Sequence, residues 1–332
     1  MAVAHVGHAE LGVTDLEASR RFFTEIIGLS VSEADEDRVF LRAWQDWDHH
    51  TLVLTRSDRP VVGHVGWRVE APGDLRRFEQ RLKTLGIDHH WVEGGTEPGQ
   101  GDGLRFTTPG GLPFELYWEV SPYLAAADAA SRLPSHPQRV PRQGVGPRRF
   151  DHVNFLLNDV EPEQMWLTTE LGIHHRYYIL SASGGRVGSW LSRTNISHEI
   201  ALMRNRNQNG SFLHHVAYYL DSPDQVVRAA TLLADHGARI EYGPGQHGTS
   251  SAMFLYFFEP SGHRVELWTG GMLIFAPDWK PLRWEPENAG LGFELWGSPA
   301  PETYFTYGSP VRPAAKASGA VARSARARTA IP

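Results

Sequence analysis

Apolar and polar positions along this chain switch between two periods, and they do so four times in the same order. Residues 5–13 (HVGHAELGV) read as a strand. Thr14 or Asp15 offers an N-cap, and residues 16–27 repeat apolar positions at helical spacing up to Gly28. Strands follow at residues 39–44 and 51–54. The second round runs VGHVGWRVEAPGDLRRFEQRLKTLGI (62–87), with a helix over residues 74–85 and Gly86 just past its end. It closes on LRFTTPGGLPFELYWEV, a hairpin turned at Pro-Gly-Gly. The third round opens at residue 149 (RFDHVNFLLNDVEPEQMWLTTELGI) and the fourth at 213 (LHHVAYYLDSPDQVVRAATLLADHGARI). The fourth ends in GQHGTSSAMFLYFFEPSGHRVE (245–266), an aromatic strand, a Pro-Ser-Gly turn and a return strand.

The rounds align without gaps. GHAELGVTD, GHVGWRVEA, DHVNFLLND and HHVAYYLDS place His8, His64, His152 and His215 at equivalent positions. TPGGLPFEL and EPSGHRVEL place Glu115 opposite Glu266, and each glutamate follows its histidine, His64 or His215, by 51 residues. The chain is therefore a duplicated pair of βαβββ modules. This predicts an α+β fold with an N-terminal domain over residues 1–120 and a linker over 121–147 rich in Ala, Pro, Ser and Arg. A C-terminal domain with a wrapping C-terminal segment spans 148–308, and a low-complexity tail, 309–332, is expected to be disordered.

Composition narrows the chemistry. The chain has no cysteine, which removes disulfides, thiolate metal sites and a thiol nucleophile, and leaves His, Asp and Glu as strong ligands. The net charge of −6 gives no basic footprint for nucleic acid. No apolar run is long enough to span a bilayer and the N-terminus is patterned as a strand, so a cytoplasmic protein is expected.

His152 and His215 begin equivalent strands of sister modules, so their side chains should converge on one face of the sheet. Glu266, between Val265 and Leu267, points away from those two residues, and an enclosed carboxylate needs a cation. Two histidines and a carboxylate with open positions form the facial arrangement of non-haem Fe(II) sites that use oxygen. A single strand histidine is more often a satisfied core residue, but three ligand-type residues at repeat-determined positions argue for a site. His214 should point to the opposite face from His215.

The stretch 245–266 carries Gly-x-His, a seven-residue spacer, Leu-Tyr, two residues, an acid followed by Pro-x-Gly, and a Glu after three more residues. With FDHVNF, NISHEIALM and HHVAYY in that order, the chain resembles the type I extradiol ring-cleaving dioxygenases of the vicinal oxygen chelate superfamily, over roughly residues 3 to 300. The resemblance is to the catechol 2,3-dioxygenase and homoprotocatechuate 2,3-dioxygenase branches. It implies a curled mixed sheet around a central cavity in each domain. It implies a structural N-terminal domain without metal, and a catalytic C-terminal domain with Fe(II), or Mn(II), on His152, His215 and Glu266. His198 would sit over the oxygen position, and His247 and Tyr256 would bond the diol oxygens. The implied reaction is extradiol cleavage of a catechol by O2 to a 2-hydroxymuconate semialdehyde type product, in aromatic compound degradation. A homotetramer is implied as well.

Trp190 falls on the strand before His198 and should wall the pocket. The arginines that anchor a substrate carboxylate in the homoprotocatechuate branch align with Tyr242 and Phe293, so the expected substrate is a neutral catechol. Arg283 is left as an alternative anchor. His8, His64 and Glu115, with His50 opposite His198, form a second set in the first half. There Arg105 stands opposite Tyr256 and Thr96 opposite His247, and a cationic arginine opposes metal binding. The rival readings are a glyoxalase-type isomerase or epimerase on the same scaffold, and a ligand-sequestering protein of the bleomycin-resistance type.

Overall fold

The structure, a computed structural model, describes residues 1–312. Each repeat forms strand, helix and three strands. The first is β1 (Val3–Val13), α1 (Leu16–Arg21), β2 (Ser30–Ala34), β3 (Arg38–Arg42) and β4 (Leu52–Arg56). The second is β5 (Val61–Val69), α2 (Asp74–Leu85), β6 (His89–Val92), β7 (Gly103–Thr107) and β8 (Pro113–Tyr117). The third is β9 (Arg149–Leu157), α3 (Val160–Leu171), β10 (His174–Leu180), β11 (Arg186–Ser192) and β12 (Ile200–Arg204). The fourth is β13 (Phe212–Tyr219), α4 (Pro223–Asp235), β14 (Ile240–Gln246), β15 (Met253–Phe258) and β16 (Arg264–Thr269).

The helix boundaries follow local chemistry. Asp15 accepts a hydrogen bond from the Ala18 amide at 2.9 Å and so caps α1. The expected helix over 16–27 is α-helical only to Arg21 and continues as a π-helix over Phe22–Ile27. Gly86 ends α2 at φ +68°, a left-handed conformation that glycine adopts without steric cost.

Two sheets result, with strand orders β2-β3-β4-β1-β5-β8-β7-β6 and β14-β15-β16-β13-β9-β12-β11-β10. Each is centred on an antiparallel pair, β1 with β5 and β9 with β13, flanked by the parallel partners of that pair. In the second sheet the alternation of side chains is strict in β16. Val265 and Leu267 enter the main apolar core, while Arg264, Glu266 and Trp268 face the other way. On β9, Val153, Phe155 and Leu157 join that core, and His152 and Asn154 face the cavity. The core continues across the two halves. Phe22 meets Phe257 at 6.0 Å between ring centres, and Phe106 meets Trp166 at the same distance.

Residues 118–148 form no helix or strand, but the segment packs back: Gln138 is buried and accepts from Arg42 at 2.5 Å. The C-terminal wrap adds β17 (Leu282–Trp284) beside β10, and helices α5 (Ala289–Phe293) and α6 (Glu302–Thr306). The expected disorder from residue 309 is corrected at its start. Ser309–Pro310 (β18) pairs with β13, and the Arg312 amide donates to the Val62 carbonyl at 2.9 Å. The strap is held because its backbone groups complete open strand edges in both halves. The rest of the expected tail, 313–332, lies outside the described residues. Among the described residues no helix is long and apolar enough to cross a membrane.

Candidate metal centre

His152, His215 and Glu266 come together at the middle of the second sheet, all at most 2 % exposed. Glu266 Oε2 lies 2.9 Å from His152 Nε2 and 3.0 Å from His215 Nε2, and the two nitrogens are 3.2 Å apart. The antiparallel register causes this. His152 pairs with Ala217 and His215 with Asn154, so each histidine sits two residues before its sister's partner, on the same face.

Bulges in β9 and β13 orient the rings. The ladder steps from Phe150 to His152 on β9, which leaves Asp151 unpaired and able to reach its neighbour. Asp151 Oδ2 accepts from His152 Nδ1 at 3.0 Å. A carboxylate only accepts, so the proton is on Nδ1 and the Nε2 lone pair faces inward. On β13 the unpaired residue is His214. Its Nε2 donates to the Tyr304 carbonyl at 2.6 Å, and its Nδ1 lies 2.6 Å from His215 Nδ1. Burial, with Arg264 nearby, holds the His214 pKa well below its ordinary value. Neutral His214 therefore accepts at Nδ1, His215 donates from Nδ1, and His215 Nε2 is left as a lone pair. The expectation that His214 faces away from His215 is thus corrected: the bulge cancels the alternation on which it rested.

Three electron-pair donors consequently face one point. Glu266 Oε1, in addition, is buried with no hydrogen-bond partner among the described residues. Such a set requires a cation, and two imidazoles with a carboxylate suit a first-row divalent ion. Without one, a proton takes the place. Burial opposes the charged form of His152, but the bonds to Asp151 and Glu266 outweigh it and raise its pKa to about 9. Burial likewise works against ionised Glu266, yet His215 and His152 hold it well below the usual carboxylate range.

The donors open on a small, mostly enclosed cavity. His198, Trp190, His247, Tyr256 and Phe293 line it. The His198 ring centre is 4.2 Å from that of His152. Burial and His152 lower its pKa well below the ordinary value, so it is neutral. Tyr177 Oη and Ser197 Oγ each lie 3.0 Å from His198 Nδ1, which leaves Nε2 as the free ring nitrogen. The Tyr256 hydroxyl is 3.0 Å from His247 Nε2, and His247 Nδ1 donates to the Phe293 carbonyl at 2.5 Å. Burial and the Glu266 charge push the Tyr256 phenol up, so it is a neutral donor. Trp190 and Tyr256 lie on strands five places apart, about 24 Å in a flat sheet. That both line one cavity means that the sheet curls around it.

Tyr242 departs from expectation. It does not line the cavity but stacks behind Tyr256 with ring centres 5.8 Å apart, because a register shift in β14 turns it into the aromatic layer with Tyr304. Arg283 is half exposed and pairs with Glu285 at 2.8 Å, so it is no anchor. Asp151, Asn154, Tyr177, Thr249, Ser250 and Tyr304 were not anticipated. The acid beside the strand histidine was a usable signal for Asp151. Tyr304 had none, since the wrap has no periodicity. In the first half His8, His64 and Glu115 also meet, joined by Glu97 rather than its neighbour Thr96.

Comparison with known proteins agrees with this geometry. Residues 62–121 match the family described as "Catechol 2,3-dioxygenase-like N-terminal domain", and 149–267 match "Glyoxalase/Bleomycin resistance protein/Dioxygenase superfamily". The chain is 42% identical to a manganese-dependent 2,3-dihydroxybiphenyl 1,2-dioxygenase of Geobacillus genomosp. 3, over 90% of this chain and 94% of that one. It is 37% identical to a metapyrocatechase of Geobacillus stearothermophilus, over 93% and 94%. Among solved structures, homoprotocatechuate 2,3-dioxygenase from Brevibacterium fuscum in complex with 3,4-dihydroxyphenylacetate superposes with a TM-score of 0.84 at 29% identity, over 93% of both chains.

Proposed function

The chain belongs to the extradiol ring-cleaving dioxygenases of the vicinal oxygen chelate superfamily, and on that premise we propose that its C-terminal half, residues 148–308, cleaves a neutral catechol at Fe(II) held by His152, His215 and Glu266. Residues 1–120 then form a half that takes no part in the chemistry. The observation that carries the assignment is the meeting of three lone pairs within 3.2 Å, two of them fixed by Asp151 and His214.

The bound ion would supply Lewis acidity and hold diol and dioxygen side by side. The chain's own groups do the rest. Neutral His198, held at Nδ1 by Tyr177 and Ser197, presents Nε2 to accept a proton and return it during ring attack. Tyr256 donates its one proton to His247 Nε2 in the ligand-free site, and would turn it to a substrate oxygen as charge grows there. Trp190 and Phe293 pack the ring and exclude water. Both atoms of O2 enter the product, and the carbon–carbon bond beside the diol breaks, giving a 2-hydroxymuconate semialdehyde type product.

The neutral side chain is favoured because, among the described residues, no Lys or Arg lines the cavity. A carboxylate on the substrate would be buried without a partner. Manganese is a second reading, favoured by the 42% identical relative described as manganese-dependent. Leu273, Phe275 and Leu291 are exposed on the wrap and support a homo-oligomer, which sedimentation would measure.

The test is anaerobic reloading of metal-stripped protein with Fe(II) or Mn(II), followed by catechol and air. We expect oxygen uptake and a yellow product with at least one ion, and a preference of roughly 100-fold or more for catechol over 3,4-dihydroxyphenylacetate. A metal-loaded chain that consumes no oxygen with any simple catechol would overturn the reading.

A further inference from the structure

The N-terminal half repeats the donor set of the metal centre in buried form. His8 Nε2 and His64 Nε2 lie 2.8 Å apart. Glu97 comes within 3.3 Å of His64 Nε2 and 3.5 Å of His8 Nε2, and Glu115 within 3.9 Å of His64 Nε2. All four residues are at most 5 % exposed. His8 on β1, His64 on β5 and Glu115 on β8 occupy the strands equivalent to β9, β13 and β16. Even the orienting carboxylate has a counterpart. Glu10 accepts from His64 Nδ1 at 2.9 Å, so His64 presents an Nε2 lone pair inward, as His152 does under Asp151.

The register position beside the glutamate differs. Arg105 on β7 pairs with Glu115 on β8, just as Tyr256 on β15 pairs with Glu266 on β16. Where Tyr256 brings a neutral phenol, Arg105 brings a fixed charge. Its Nε donates to Glu115, and its Nη2 donates to Glu97 at 2.5 Å and reaches His64 Nε2 at 3.4 Å. A single guanidinium thus engages three of the four inward-facing residues, through the planar set of donors that lysine lacks. Two enclosed carboxylates require a cation, and Arg105 already is one.

We propose that Arg105 is the built-in cation of a second, degenerate metal centre. The chain as it stands takes one divalent ion. Removing the guanidinium opens a second site for a first-row divalent transition ion, ligated by His8, His64, Glu97 and Glu115.

The test counts metal in the full chain. Wild type, Arg105→Gln and Arg105→Met are stripped, reloaded anaerobically with Co(II), desalted and assayed for metal per chain, with the visible Co(II) bands recorded. Wild type should hold one ion and the Arg105 variants two. Glu97→Gln added to Arg105→Gln should return the count to one. Ring cleavage reports folding, since Arg105 lies outside the catalytic cavity. Two ions in wild type, or one in a ring-cleaving Arg105 variant, overturns the proposal. Should neither Arg105 variant fold, Tyr256→Arg puts the same claim to the C-terminal centre. It should lower the wild-type count from one to none, and retention of the ion refutes the idea.

Discussion

His152 illustrates how far a ligand's behaviour is set by atoms that never touch the ion. Asp151 fixes which nitrogen carries the proton. Asp151→Asn keeps the shape but can donate to Nδ1, which would turn the ring's proton toward the donor cluster. We expect metal affinity about 10- to 100-fold weaker, read by competition with a chelator. His198→Gln should leave metal content unchanged and lower kcat by about 10²- to 10⁴-fold, the usual worth of a positioned acid–base group. The metal-free centre keeps a proton on His152 up to about pH 9, and an incoming ion must displace it. Apparent affinity should therefore rise with pH, about tenfold per unit below that value. A flat profile between pH 7 and 8.5 would show that no proton competes. The three donors were legible because the repeat places them. Asp151 and His214 were not assigned roles, because a bulge changes the face a side chain takes, and only the acid's place beside the strand histidine hinted at Asp151.

Among the elements, the four strand–helix starts were readable from period, cap and glycine. The π-helical turn at Phe22–Ile27 was not, since its sequence is as apolar and periodic as an α-helix. The strap β18 was hidden for the opposite reason, lying at the edge of a stretch rich in Pro, Ala and Arg. It matters nonetheless. His263 donates from Nε2 to the Gly12 carbonyl at 2.9 Å and accepts at Nδ1 from Ser309 at 2.7 Å, with both side chains buried. Burial lowers the His263 pKa, consistent with a neutral ring. Ser309→Ala strands the Nδ1 lone pair, and urea unfolding should show a loss of about 1–3 kcal/mol.

At the scale of the molecule the halves are bound to each other. Glu163 on α3 accepts from the Gly110 amide at 2.7 Å, Arg81 on α2 pairs with Glu170 on α3 at 2.6 Å, and the apolar core runs through both halves. Because the donors are brought together only in the folded chain, metal binding is also a folding term. At 1,000 times its Kd an ion adds about 4 kcal/mol. Stripping it should lower Tm by roughly 6 °C for a chain of this size, seen by calorimetry as a single transition that moves. The sequence by itself determined the four modules, their duplication, the donor triad and the absence of thiolate chemistry, because period and spacing are local properties that survive in one dimension. Tertiary structure decided the rest. It chose which of two near-identical donor sets faces an open cavity and which closes on Arg105, moved Tyr242 behind Tyr256, and turned His214 toward His215. Those outcomes depend on ladder register and on charges meeting across strands distant in the chain, and neither is written in any single segment.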